Sequence, residues 1–561
     1  MGSVIDMKKY LKLALFVSVL MIAGFIAFII IMGKNSKNIK NVQKNLSNQE
    51  IGVTELQSEQ KYKSFNTQTV IDELIISGDN VNVVLFDNSE PKKIYDTKIS
   101  ADIHEQLARM EDKKDYSFDN PLLAYNPYGT NTCGLYIYFE TTTDCYLKYS
   151  VTVMDEQIPD FTRTMTDTDG RGNRIHEYLL TGLIPGKENY LCLELESQDG
   201  GFVDSRIFKI NLPESSYGNP SLITVSNKSK NIDRISNGLY FCYGTGNNSI
   251  PLYDNSGYLR GEIPIAENND TTICVTLADM IVPYAKNKLA GITRTGQVAD
   301  IYSLDGYKLG RKVEYNDRGQ ILAIASDNRS ETVNDIILSV DTDNGEVTKI
   351  VDTKELLSKV YKKNKTSDWI GIDSIEYINN KDLIIGASKL SSVIKISNIM
   401  MANPTVGYVL GNNKAWKSKA FRDKLLTKEG RETDAPAKLF KAMSDNVSMA
   451  YSEMKENNSD EEEEPGSRYY FMVMNNDNGN KTRGLKFFVN ENDNTYKLVS
   501  DKELPSNAEG GSLGFSGENY VVYTPAAGTF SEYTPEGESL ITYALPCKAV
   551  EKYSMKDFWF R

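Results

Sequence analysis

QILAIASDNRSETVNDIILSVDTDNGEVTK, residues 320–349, carries the pattern that decides the fold. An apolar run of strand length, QILAIAS (320–326), leads to a second strand, then to a turn rich in Asp, Asn and Gly, and a third strand grows out of DTDNGEVTK (341–349). Short apolar runs bounded by turn formers read as antiparallel strands. The same order recurs five more times, led by GLYFCYG (238–244), KLAGITR (288–294), DLIIGAS (382–388), YYFMVMN (469–475) and NYVVYTP (519–525). The turns after them are YDNSGYLRG, SLDGYKLG, NENDNTYKL, TPEGESLITY and a longer variant around ISNIMMANPTVGYVLG. Six such units predict an all-β chain whose main body, 214–561, is a six-bladed β-propeller. Their starts lie 50, 32, 62, 87 and 50 residues apart, too irregular for the strict repeats of about 40–50 residues. The widest interval carries an insertion at about 411–467. A helix is expected there from Trp416 to Thr427, and the acidic run Asp460 to Glu464 reads as a solvated loop.

Composition narrows the function. Across 561 residues acids outnumber bases 76 to 63, a net charge of −13. A nucleic-acid partner would need a basic face, so none is expected. There are two histidines, His104 and His176, which excludes Cys/His zinc clusters and H-E-x-x-H proteases. No metal site and no cofactor is expected. Walker and Rossmann patterns are missing from the sequence. The turns DTDNG (341–345) and DTDG (167–170) lack the third acid and closing glutamate of a calcium loop, and read as hairpin turns.

The N-terminus reads as a membrane anchor. MKKYLK (7–12) precedes 21 uncharged residues from Leu13 to Gly33, about 31 Å as a helix, which matches the hydrocarbon core. The run closes on FIIIMGK without a small-x-small cleavage pattern, so 1–34 is expected to be a cytoplasmic tip and an uncleaved transmembrane signal anchor. Residues 35–114 read as a stalk and short linker region, with a β-rich patch VIDELIISGDNVNVVLFD and a helical stretch near Ile103 to Asp112.

A small immunoglobulin/fibronectin-like β-sandwich is expected over 115–213. Leu135 to Glu140, Cys145 to Met154 and Tyr190 to Glu196 alternate in the manner of strands. In LLTGLIPGKENYLCLEL (179–195) a Pro-Gly turn precedes Tyr190, which resembles the tyrosine corner of such sandwiches, with Cys192 two residues on. The six cysteines (133, 145, 192, 242, 274 and 547) read either as buried apolar residues or as one or two disulfides, Cys145–Cys192 among the pairings left open.

These residues carry a family resemblance. DNPLLAYNPYGTNTCGLYIYFETTT (119–143) resembles the opening of the sandwich in aryl-sulfate sulfotransferases. SDWIGIDSIEYINNKDLIIGASKLSSVIKI (367–396) resembles that family's Asp-Trp-x-His-x-Asn-Ser blade. VLGNNKAW (409–416), DKLLTKEG (423–430) and GTFSEYTPEGESL (528–540) fit in order, so the similarity covers roughly 115–561. It implies an exported sandwich plus six-bladed propeller that moves sulfuryl groups between phenols without a nucleotide donor, through a sulfohistidine in the propeller funnel. A nucleophilic imidazole splits one transfer into two, and cationic donors stabilise the sulfuryl oxygens.

The chain departs from the family at the residues that do this chemistry. No histidine follows His176. In the Asp-Trp-x-His-x-Asn run, Asp368, Trp369, Ile370, Gly371, Ile372 and Asp373 put glycine at the histidine. The family's arginine aligns with Ser388, beside Lys389, and its His-His-Asp run aligns near Gly310, Arg311 and Lys312. The nucleophile's segment falls in KAMSDNVSMAY (441–451), where Asp445 or Asn446 takes its place. No catalytic residue is therefore assigned. Arg311, Lys312, Trp369, Asp373, Ser388, Lys389 and Asn446 are the candidate substrate-binding residues, Arg311, Lys312 and Lys389 as a cationic funnel for a phenolic sulfate or other small anion. His176 reads as structural and His104 as a surface residue. The expectation is a membrane-anchored, outward-facing pseudoenzyme of the cell surface that binds a ligand or serves as a scaffold. The alternatives are an active aryl sulfotransferase with a non-histidine nucleophile, and a structural subunit that binds a protein partner on a propeller face.

Overall fold

A computed structural model describes residues 90–555 apart from 156, 166–170, 277, 412–415, 417, 430–447, 454–466, 477–481 and 505–510, together with strands Thr54–Glu55, Lys61–Val70 and Asn80–Phe86. The expected membrane span (13–33), the DTDG turn, the acidic run 460–464 and Asp445 and Asn446 lie outside the described residues. Among the described residues no helix is long and apolar enough to cross a membrane.

Six sheets form the propeller, antiparallel except where Thr427–Lys428 pairs in parallel with Thr495–Leu504 in blade 5. Blade 1 holds Gly238–Tyr243, Ser249–Tyr253 and Leu259–Pro264, and its innermost strand is the C-terminal Ala549–Ser554. Blade 2 runs outward from Cys274–Val275 through Met280–Ala285 and Lys288–Ile292 to Val298–Ser303, and blade 3 from Tyr307–Tyr315 through Gln320–Asp327 and Ile336–Asp341 to Val347–Asp352. Blades 4, 5 and 6 begin at the axis with Ile372–Ile378, Ser448–Glu453 and Ser512–Ser516. Innermost strands of successive blades touch from blade 2 round to blade 1. Thr224–Lys228 adds an outer edge strand to blade 6. Both ends of the propeller segment are thus sewn into sheets formed by the other end.

Five of the six leading strands read from sequence are the second strand of their blade. KLAGITR instead belongs to the third strand of blade 2, behind Met280–Ala285. Measured between second strands, the first two intervals become 42 and 40 residues rather than 50 and 32. In the insertion, the expected helix from Trp416 to Thr427 is not formed. Among its described residues Arg422–Lys424 makes a 3-10 turn and Thr427 enters a short strand, while Trp416 is fully buried in the blade 4 core with its indole N–H on Ser392 Oγ at 2.7 Å. The Asp341–Gly345 hairpin turn is present, Gly345 N donating to Asp341 O.

Ahead of the propeller lies the sandwich. Its 19-residue strand Leu135–Val153 pairs with Leu122–Tyr125 and Asn173–Leu180 through its first half, and with Phe161–Met165 and Glu188–Ser197 through its second. Strict alternation of burial from Cys145 to Val153 marks a strand with one face in a core. The sheet reaches further upstream than residue 115. Asn80–Phe86 pairs in parallel with Leu122–Tyr125, and Lys61–Val70 pairs with both Asn80–Phe86 and Phe202–Asn211. The helix Thr97–Lys113 is capped by Asp96, whose carboxylate accepts from the backbone N–H of Lys98 and Ile99. It buries Ile103 and Leu107, and Ser100 Oγ accepts from Val298 N of blade 2 at 2.9 Å. Described residues from 61 onward are therefore part of the body, where the sequence reads as stalk and linker. Tyr190 does not act as the corner tyrosine, since its hydroxyl bonds Glu188. Tyr149 does that work from the neighbouring strand, engaging both the N–H and C=O of Thr181. Cys145 sits opposite Ser197 and Cys192 opposite Ser150. Five residues along a strand is about 16 Å, beyond disulfide reach.

The sandwich shares one apolar core with blades 1 and 2. At the joint the buried Arg260 guanidinium bonds Asp254 at 2.7 Å and the carbonyls of Gly182 and Pro159 at 3.0 and 2.6 Å. Three strands inward Lys552 and Glu532 pair at 2.7 Å, both side chains with no exposed surface, across the seam of blades 1 and 6. Tyr240 OH, Asn519 Nδ2 and Ser236 N also donate to Glu532. Burial raises the Glu532 pKa, but Lys552 and these donors outweigh it and hold the carboxyl below its ordinary value. Glu532→Gln strands a buried ammonium, and a loss of about 3–5 kcal/mol is expected in urea unfolding at pH 7. Because the folded pKa is depressed, this contribution is complete above about pH 4.5 and disappears as the pH falls through the folded value. The difference between wild type and variant should therefore shrink in acid.

Candidate functional site

A narrow cleft opens on the propeller axis beside the inner strands. Its walls come from five blades: Asp270 and Thr272 before blade 2, Arg311 and Lys312 of blade 3, Asp373 and Ser374 of blade 4, Gly511 to Leu513 of blade 6, and Ala549 and Glu551 of the C-terminal strand. Blade 5 enters the ring at Ser448–Glu453, directly after the undescribed segment that holds Asp445 and Asn446. Among the described residues none from the sandwich lines the cleft.

Two irregularities in strand register aim the polar side chains inward. In blade 3 Leu309 pairs with Ala325 and Val313 with Ala323, so Gly310, Arg311 and Lys312 bulge from the ladder. A bulge breaks the alternation of faces and lets consecutive residues reach the same space. The bulged carbonyls of Gly310 and Arg311 accept from Thr271 Oγ1 at 2.6 Å and Thr272 N at 2.9 Å. A Cβ on Gly310 would lie 2.6 Å from Ile324 Cγ2, so the turn of the chain needs glycine there. In blade 4 a smaller irregularity at Asp373 separates the Ile372–Ala387 and Ser374–Gly386 pairs.

Charge in the cleft is dominated by carboxylates. Lys312 Nζ bonds Glu376 Oε1 at 2.5 Å, with Glu314 and Glu551 also acting on it. Burial pulls the Lys312 pKa down, and the three carboxylates more than reverse this, leaving it above its ordinary value. Burial, then the Glu376 charge, push the Glu314 carboxyl up to about 8, although Lys312 and the Tyr377 N–H oppose the rise. Burial raises Glu551 as well. At the mouth Arg311 reaches the carbonyls of Gly511 and Lys548 at 3.4 and 3.2 Å and Asp270 at 3.8 Å. Both cations of the cleft are thus engaged by the wall.

The remaining candidate residues stand apart from the cleft lining. Trp369 is fully buried, its Nε1–H on Asp335 Oδ2 at 3.1 Å. Lys389 faces Asp368 at 3.9 Å. Ser388 is buried and donates to Gly371 O at 3.1 Å. Gly371, at the position aligned with the family's histidine, has φ +57°, and a Cβ there would stand 2.5 Å from Ser388 Oγ and 2.9 Å from Lys389 Cγ. His176 stacks on Phe139 at 4.5 Å in the sandwich, and burial lowers its pKa to about 4, so it is neutral and structural. His104 is exposed on the helix Thr97–Lys113. Sequence reading missed Asp270, Glu314, Glu376 and Glu551. The one signal for them was charge at every second position, Lys312 with Glu314, which puts both on one face of an inner strand.

The family model described as arylsulfotransferase (ASST) matches residues 224–552, and that of the arylsulfotransferase Ig-like domain matches 122–213. No curated protein matches the chain. Among solved structures, a putative 6-phosphogluconolactonase from Bacteroides fragilis is 11% identical, with 74% of this chain and 99% of that chain covered at a TM-score of 0.33. The periplasmic gluconolactonase of Pseudomonas aeruginosa is 10% identical, with 72% and 99% covered and a TM-score of 0.33. Virginiamycin B lyase from Staphylococcus aureus is 12% identical, with 64% and 91% covered and a TM-score of 0.30.

Glu314 supplies a pH test of the cleft. A carboxyl whose folded pKa is raised contributes stability in full below about pH 4.5, and that contribution is lost as the pH rises through about 8. Glu314→Gln removes the titration. The stability of the variant relative to wild type should therefore climb between pH 5 and pH 9 in chemical unfolding, and a flat difference would place the proton elsewhere.

Proposed function

We propose that this chain, which belongs to the arylsulfotransferase family, keeps the family's body as a ligand-binding module and has lost the sulfohistidine route. The observation that carries this reading is the charge and composition of the axial cleft. The propeller contains no histidine. Lys312 is bound to Glu376 with Glu314 and Glu551 also acting on it, and Asp270, Asp373 and Glu551 line the cleft. Sulfuryl transfer needs a nucleophile and cationic donors free to meet growing negative charge on oxygen. A cleft lined by Asp270, Asp373 and Glu551, with both of its cations engaged, opposes that charge. A phenolic sulfate or other small anion, the ligand class that the resemblance implies, would have Arg311 at the mouth as its cationic contact.

Substitution at Gly371 supports the same conclusion. Histidine at φ +57° would be strained, and its Cβ would displace Ser388. The reading also places the body outside the cell, on an anchor formed by Leu13 to Gly33, whose 21 uncharged residues suit a bilayer span.

The test is turnover. The purified full chain in detergent, given a fluorogenic aryl sulfate as donor and excess phenol as acceptor, should release no fluorophore above background while an active family member does. Acceptor-dependent release that is lost in Lys312→Met would overturn the proposal and assign the cleft a different nucleophile. Gly371→His should restore no activity and should lower stability by about 1 kcal/mol or more.

A further inference from the structure

We propose that Cys242 and Cys547 form a disulfide that closes the propeller ring covalently. Cys242 lies in Gly238–Tyr243, the first strand of blade 1, and Cys547 just precedes Ala549–Ser554, the C-terminal strand that completes the same blade. The two strands pair in register, Cys242 opposite Val550 and Tyr243 opposite Ala549, and Cys547 lies beyond the end of this ladder and not on the strand, across a bend at Lys548 whose N–H donates to Tyr243 O at 2.8 Å. A single hydroxyl, Tyr523 OH of blade 6, holds both the N–H and the C=O of Cys547. Both cysteines belong to one apolar cluster, with Tyr240, Tyr253, Tyr523 and Val550. Cys547 acts directly on the Cys242 thiol, which burial first and this neighbour second keep protonated. All six cysteines are thiols in this structure.

The other cysteines offer weaker pairings. Cys145 and Cys192 are offset along their strands, as described above. Cys274 belongs to a different core. Cys133 shares the cluster with Cys242 and Cys547 and is the competing partner.

Accessibility sets the order of the chemistry. Cys242 has no exposed surface, whereas Cys547 is partly exposed. The oxidant is an external disulfide, of an oxidoreductase or of oxidised glutathione. The Cys547 thiolate attacks it, forming a mixed disulfide and releasing one thiol. Cys242 then loses its proton and attacks the Cys547 sulfur, releasing the second thiol. Two protons and two electrons pass from the pair to the external disulfide. In the cell the bond presupposes the outward-facing reading, because disulfides persist in oxidising compartments. The test in solution does not depend on that reading, nor on the fate of sulfotransfer.

The purified full chain is treated with oxidised glutathione under native conditions, blocked with an alkylating agent, and mapped by mass spectrometry without reduction. The expected result is one cross-linked peptide pair, Cys242 to Cys547, present in Cys133→Ser and lost in Cys242→Ser. The link encloses nearly the whole propeller, so the oxidised wild type should melt about 3–5 °C above the reduced wild type. Cys547→Ala should show no such difference between the two conditions. If either Cys547 or Cys242 stays alkylatable after native oxidation, if either is found joined to Cys133, or if the link forms only in denaturant, the proposal fails. The reduced wild type serves as its own folded control should a variant express poorly.

Discussion

A propeller is a ring, and a ring made from one chain has to be closed where the chain's two ends meet. Here the closure is made by hydrogen bonds from Gly238–Tyr243 to Ala549–Ser554, partners separated by the whole of the domain. Bringing them together costs loop entropy that no local contact returns. The compensation is concentrated at the seam. Lys552 of the closing strand reaches Glu532 of blade 6, Tyr240 OH and Asn255 Oδ1. Such a pair is worth less than its attraction suggests, because both ions are desolvated, yet it penalises any register that leaves either one unpaired. Polar pairs at other seams work the same way, Lys395 bridging Asp382 of blade 4 and Glu491 of blade 5 at 2.8 and 2.6 Å.

The position of the closing strand also fixes the cleft. Glu551 faces the axis from this strand, and Met555 at its far end is held by Arg163 of the sandwich through a 3.0 Å bond to the carbonyl. Arg260 and Glu262 tie blade 1 to the same domain, Glu262 accepting from Thr132 Oγ1 at 2.8 Å. With their apolar cores merged, sandwich and propeller form a single packed body around blades 1 and 2. The sandwich therefore acts on the cleft only through the strands it braces.

The blades were legible because each repeats a physical pattern that a sequence displays, a fully buried second strand followed by Asp/Asn/Gly turns. Blade 2 shifted by one strand because MIVPYA contains a proline, which argues against a strand interior; here Pro283 lies next to the irregularity between Pro283 and Ala285, where bulges accommodate it. The helix expected from Trp416 to Thr427 failed for a different reason: Trp416 and Phe421 pack edge to face on blade 4, and the turn in which Phe421 N and Arg422 N both donate to Ser418 O is not continued into a helix. In the cleft, Arg311, Lys312 and Asp373 were found through their alignment with family positions. The carboxylates opposing them were invisible to that route, since the resemblance singles out none of Asp270, Glu314, Glu376 and Glu551.

Gly371 and Ser388 show why the missing histidine is more than a point change. Ser388 N and Oγ both donate to Gly371 O, at 3.0 and 3.1 Å, so the residues aligned with the family's histidine and arginine are one another's partners. Glycine takes the left-handed turn that a histidine side chain would strain, and serine occupies the space that a Cβ on residue 371 would need. Reversing one change without the other meets a clash or leaves a void. Reversing both would still place an imidazole and a guanidinium in a blade whose inner strand supplies Glu376 to Lys312. The charge set of the cleft is therefore coupled across blades 3 and 4, and a route back to sulfuryl transfer would have to rebuild the wall as a unit.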